Sequence, residues 1–183
     1  MRAFTALVLA AVAAAVSAST PPAPAEMLRP SAFWIRATAA PYYHAYLQPP
    51  APGATGAATG AAILGDAATA GQFFLTYGRL VLVSAGKELD AVVSEEVIGA
   101  REDGTGGRLA VRFQVGSVGS GKGGFVYSGD AVGWRRGGVE REDGAWLVCG
   151  GELFVDLGRE GEETPDGCVD LTIHFYFGAT AEV

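Results

Sequence analysis

From residue 31 onward, short apolar runs alternate with glycine-rich polar punctuation, and their length and spacing are those of strands rather than helices. Leu109, Val111, Phe113 and Val115 alternate with Ala110, Arg112 and Gln114, which predicts a strand with those four side chains on one buried face. Gln72 to Thr76 and Arg79 to Ser84, separated by Tyr77-Gly78, predict a hairpin in which Leu80 and Leu82 share one face and Val81 and Val83 the other. Residues 88–98 are the one place where helical spacing competes, through Leu89, Val92, Val93 and Val97. Their short length and the closing Gly99 favour a strand. The aromatic runs 33–37 and 43–47, with Pro41 between them and Pro49-Pro50 after, predict two strands lying near each other. Further strands are expected at 125–127 and 132–135, with a glycine-rich loop at 116–124 before them and a polar turn at 140–144 after. Residues 146–177 read as two strands: Trp146 to Cys149, then, after an acidic turn, the apolar run 169–177. Residues 51–62, built from Ala, Gly, Thr and Pro without charge, have little to bury and are expected to form a flexible surface loop. The sum is an all-β fold: a single antiparallel β-sandwich, or flattened barrel, over residues 31–183.

The amino terminus changes the compartment. Arg2 supplies a positive start, residues 3–16 an apolar stretch too short to span a bilayer, and Val16-Ser17-Ala18 the small residues at which a signal peptidase cuts. Residues 1–18 are therefore read as a cleaved signal peptide and 19–30, rich in Pro and Ala, as a disordered leader. No later run is long enough to span a membrane, so a secreted protein, extracellular or held in a wall, is expected. Cys149 and Cys168 are an even pair in such a chain, which predicts one disulfide between them. Asp and Glu outnumber Lys and Arg 20 to 13, for a net charge of −7, which argues against nucleic acid as a partner. The sequence contains no Asn, so any attached sugar would be O-linked, with Thr55 and Thr59 the candidates.

Sequence motifs for chemistry fall short. Gly116 to Gly123 matches phosphate-cradling spacing as far as Lys122, but Gly123 stands where a magnesium-binding hydroxyl is needed and no helix follows. His44 and His174 each sit in an aromatic strand run, where a packed, hydrogen-bonded ring is the ordinary role, and no Gly-x-Ser-x-Gly elbow accompanies them. Glu160, Glu162, Glu163 and Asp166 lack calcium-loop spacing and read as a solvated turn. No pair of acids is singled out for glycoside hydrolysis. Trp34, Tyr42, Tyr43 and Trp134 are the aromatics considered for stacking on sugar rings, with core packing the competing role. Neither catalytic residues, a metal site nor a cofactor is expected.

The order of these segments resembles a known family. The aromatic strand and His44 strand of residues 33–48, the hairpin of 73–83, the Gly-Phe-x-Tyr-x-Gly strand of 124–129, and Trp146-x-x-Cys149 followed by Cys168-Val169 are similar to the secreted fungal cell-wall proteins of the PhiA type. Their relatives are described as IgE-binding or antigenic surface proteins. The resemblance covers residues 32–177 and implies a non-enzymatic structural protein of a fungal cell wall or surface, with no catalytic residues to carry over. Its expected partners are wall polysaccharide or other wall proteins. The Trp-x-x-Cys pattern is also similar to that of the Alt a 1-like fungal β-barrel allergens, which implies the alternative of a freely secreted effector or ligand-binding module. A secreted hydrolase is the third reading; two acids, or a His with an acid, converging in a deep cleft would mark it.

Overall fold

A computed structural model describes residues 29–51, 59–84, 86–100, 102, 106–116, 123–136, 139–141, 146–158 and 161–182. The signal peptide expected at 1–18, most of the leader, Lys122 and Glu160 lie outside the described residues. The described residues form fifteen strands: β1 (Trp34–Ala37), β2 (Tyr46–Leu47), β3 (Gly60–Ala61), β4 (Leu64–Gly65), β5 (Phe73–Thr76), β6 (Arg79–Ser84), β7 (Lys87–Ile98), β8 (Arg108–Val115), β9 (Gly123–Ser128), β10 (Ala131–Arg136), β11 (Val139–Arg141), β12 (Trp146–Cys149), β13 (Glu152–Asp156), β14 (Cys168–Leu171) and β15 (Ile173–Tyr176). Among the described residues one 3₁₀ turn, Ala67–Thr69, interrupts them, and there is no α-helix.

The strands form two antiparallel sheets stacked as a sandwich. One runs β14-β12-β13-β8-β7-β6-β5, with β3 against β8; the other runs β11-β10-β15-β1-β2-β4, with β9 against β10. Alternation decides what lies between them. Phe33 just before β1, Ile35 and Ala37 on β1, Ile173 and Phe175 on β15, and Leu109, Val111 and Phe113 on β8 all enter one core. The residues between them, Trp34, Arg36, His174, Tyr176 and Arg112, point away from it. Val115, expected on the same buried face, is 54% exposed at the end of β8. β7 is a strand throughout, with Leu89, Ala91 and Val93 buried; a bulge between Val93 and Val97, held by Ser94 Oγ accepting from the Glu96 N–H, shifts the register.

Several expectations are corrected. Residues 146–177 hold four strands, not two. Gly150 and Gly151, at φ 59° and 88°, close a tight hairpin between β12 and β13. The apolar run 169–177 is broken at Thr172, where the chain leaves the edge of the first sheet (β14) and enters the middle of the second (β15). Within 51–62, residues 52–58 lie outside the described residues, but Gly60–Ala61 pair with β8 and Ala62 is fully buried, because small residues allow the chain to lie close against β8 and Pro50. Of the run 43–47 only Tyr46–Leu47 is a strand; residues 40–44 turn, with the Ala40-Pro41 bond cis and His44 at φ 61°. The pairing of the first two aromatic runs holds, through Arg36 opposite Tyr46. The turn expected at 140–144 begins inside β11, whose residues pair with β10; residues 142–145 lie outside the described residues. The glycine-rich loop at 116–124 ends early, since β9 begins at Gly123. The leader ends at Arg29, whose N–H donates to Gln72 Oε1 at 2.8 Å.

Cys149 and Cys168 face each other in register on β12 and β14 and form the disulfide. Both sulfurs belong to a small apolar cluster on the outer face of the first sheet, with Ala110, Leu147 and Phe154. Trp146, on the same strand, is buried in the core: its Nε1 donates to Val132 O across the sandwich at 2.7 Å, and its ring stacks parallel to Phe125.

Candidate functional site

The described residues expose aromatic side chains mainly along one seam, where edge strand β5 of the first sheet meets edge strand β9 of the second. The β5–β6 turn is joined to β9 by Phe125 N–H donating to Gly78 O at 2.9 Å. At the other end of β5, Phe73 exchanges backbone hydrogen bonds with Phe33, the residue before β1. Phe33 is buried and acts as the floor. Tyr127 of β9 lies edge-on to it at 6.2 Å and Phe177, just past β15, at 5.9 Å, while Phe175 fills the space beneath at 4.7 Å from Phe33 and 4.4 Å from Tyr127. Edge-to-face contacts of this kind fix ring orientation. Tyr127 is nevertheless 53% exposed and Phe177 65%. Partial burial raises the Tyr127 hydroxyl above the ordinary phenol value, so it remains a neutral donor at physiological pH.

The aromatics considered from sequence are distributed differently. Trp34 is 1% exposed and Trp134 6%; both are packing residues. Trp34 lies on the outer face of the second sheet, under the 3₁₀ turn, with Nε1 donating to Gly178 O. Tyr42 packs against the main core. Tyr43 is exposed and stacks on His44 at 4.0 Å, which makes both rings part of the β1–β2 turn. Tyr77, Tyr127 and Phe177 are the exposed aromatics that sequence reasoning missed. One signal was available for Tyr77: it occupies a two-residue hairpin turn where Asn, Asp or Gly is the ordinary choice. Tyr127 and Phe177 carry no local signal, because their exposure depends on how the two sheet edges meet.

His174 is the second feature. It lies on β15 with Nδ1 3.1 Å from Asp130 Oδ2 and Nε2 3.2 Å from Thr172 Oγ1, which in turn lies 2.9 Å from Thr38 Oγ1. The hydrogen bond from His174 holds the Asp130 carboxyl below the usual carboxylate range. Acid, imidazole and hydroxyl are thus linked in a row, but on an open sheet face, with the Asp130 side chain 83% exposed. A buried, oriented acid and a water-excluding cleft, which a hydrolase needs, are not features of this arrangement. The row adds to the backbone ties between the β9–β10 turn and β15, which are the Ala131–His174 pair and Phe175 N–H donating to Asp130 O at 2.8 Å. A pair so exposed adds little to stability.

Elsewhere on the same outer face, Arg36 stacks over the Tyr176 ring at 3.9 Å, and the Tyr176 hydroxyl is raised chiefly by its hydrogen bond to Glu182. A cavity of about 260 Å³ opens beside Trp34, between the 3₁₀ turn and the carboxyl-terminal segment, lined by Pro49, Ala67, Thr69, Ala70 and Ala181. On the first sheet Asp170 is raised by burial and by the nearby charge of Asp156. Of the acidic turn, Glu163 and Asp166 are exposed and Glu162 half-buried. Among the described residues no group of three or more His, Cys, Asp or Glu could hold a metal ion, and no helix is long and apolar enough to cross a membrane. No family model, curated protein or solved structure matches this chain.

Proposed function

We propose that this chain is an exported, non-enzymatic component of a fungal cell wall or surface that holds wall polysaccharide on its aromatic seam. The observation that carries the reading is the pair of exposed rings, Tyr127 and Phe177, both edge-on to buried Phe33. Apolar rings left in water on a rigid frame stack on the C–H faces of pyranose rings and lose little entropy on doing so. The signal-like amino terminus, the disulfide and the resemblance to PhiA-type wall proteins support the compartment. The purified secreted form is expected to be retained on insoluble β-glucan or chitin, with Tyr127→Ala and Phe177→Ala each weakening retention. No retention on either polymer, together with immunolabelling that never reaches the wall, overturns the reading.

A second reading, a freely secreted ligand-binding module of the Alt a 1-like kind, is favoured by the cavity beside Trp34. It predicts protein in the culture filtrate and none in wall extracts.

A further inference from the structure

Tyr77 is the most exposed aromatic residue among those described, with its whole side chain in water. It contributes no burial to the fold. Its backbone sits at φ 49°, followed by Gly78 at φ 77°, the conformation of a tight hairpin turn that Gly, Asn and Asp adopt at low cost and a bulky side chain does not. A residue that is both unburied and conformationally unfavourable is retained for something other than folding.

Its position indicates what. The turn is braced rather than free: Gly78 O accepts from Phe125 N–H, and Gly124 passes so close that a Cβ on Gly78 would lie 3.6 Å from its Cα. β9 then runs from Gly124 to Tyr127, which leads to Phe33 and Phe177. The contacts therefore link three exposed rings in sequence: Tyr77 through the braced turn and β9 to Tyr127, and Tyr127 through Phe33 to Phe177.

We infer that Tyr77 is a stacking residue of the same site, and that the site takes an extended, neutral polysaccharide rather than a single sugar or chain end. The inference rests on the reading of the seam as a glycan surface. A row of rings along a line matches a linear polymer, each ring meeting a different sugar unit. Polyanionic chains are disfavoured, because the protein carries a net charge of −7 and Asp130 stands exposed on the turn that follows Tyr127.

The test compares wild type, Tyr77→Gly, Tyr77→Phe and Tyr127→Ala by calorimetric titration with a long linear β-glucan and with a disaccharide cut from it, alongside thermal unfolding. Tyr77→Gly is expected to weaken binding of the long glucan roughly fivefold, leave disaccharide affinity unchanged, and raise Tm, since glycine suits the turn. Tyr77→Phe is expected to bind as wild type. Wild-type affinity in Tyr77→Gly, with weakened binding in Tyr127→Ala, overturns the role of Tyr77 and leaves the seam. A lower Tm in Tyr77→Gly overturns the conformational argument. Absence of glucan binding by the wild type overturns both the inference and the reading beneath it.

Discussion

Replacing both Cys149 and Cys168 by Ala tests how much the staple between β12 and β14 contributes. The two residues are 19 apart in sequence, and closing a loop of that length in the unfolded chain removes conformational entropy equivalent to about 3 kcal/mol at 25 °C. The methyl groups of Ala keep the outer cluster of Ala110, Leu147 and Phe154 apolar, so the packing loss is small. For a domain of this size 1 kcal/mol corresponds to about 2–4 °C, so Tm is expected to fall by roughly 6–12 °C. The assay is thermal unfolding followed by circular dichroism, with wild type in reducing agent as the matching control. β12 and β14 remain paired through their backbone ladder, so the far-ultraviolet spectrum below the transition should stay that of a β-protein. A fall of less than about 2 °C would refute the entropic account; a reduced wild type behaving differently from the double variant would show that the thiols themselves, not the lost bridge, set the result.

Trp146→Phe should destabilise the fold by about 2–4 kcal/mol, because Val132 O loses a buried donor and the smaller ring leaves space beside Phe125. Urea denaturation measures it, and an unchanged midpoint would show that the inter-sheet bond is dispensable. His174→Ala should return the Asp130 carboxyl to the ordinary Asp range, observable by nuclear magnetic resonance titration of its side-chain carbon. The sign follows from linkage: the folded-state value is lowered, so the contribution of Asp130 is present above the unfolded value and is lost as pH falls through the folded one. Identical Asp130 titration in the two proteins would remove the pairing.

The hairpin β5–β6 and strands β7 and β8 were legible because each carries its own alternation, and because Tyr77-Gly78 marks the turn locally. The disulfide followed from having only two cysteines in a chain with a secretion-like start. The division of 169–177 was not legible: Thr172 is small and β-compatible, so a change of sheet leaves no trace in hydropathy. The loop expected at 51–62 failed at residues 60–62 for the opposite reason. Small residues there signal close approach to β8 as readily as disorder, and only the neighbouring chain distinguishes the two. The candidate site was hidden most completely. An aromatic in a strand run can face core or solvent, and no local pattern says that Trp34 is buried and Tyr127 exposed. The seam also gathers residues 33, 77, 127 and 177, which no local pattern connects.

The centre of the second sheet is made by β1 and β15, the first and last strands of the described chain, paired over four residues. Such a sheet cannot be finished before Ile173–Tyr176 have been made. Phe33 and Ile35 must wait, with their apolar faces uncovered, until Ile173 and Phe175 arrive. During synthesis the first sheet, whose β5–β6–β7–β8 meander is local in sequence, can form ahead of its partner. Loss of β15 would therefore remove the middle of a sheet rather than fray an end, and a chain truncated before Ile173 should aggregate.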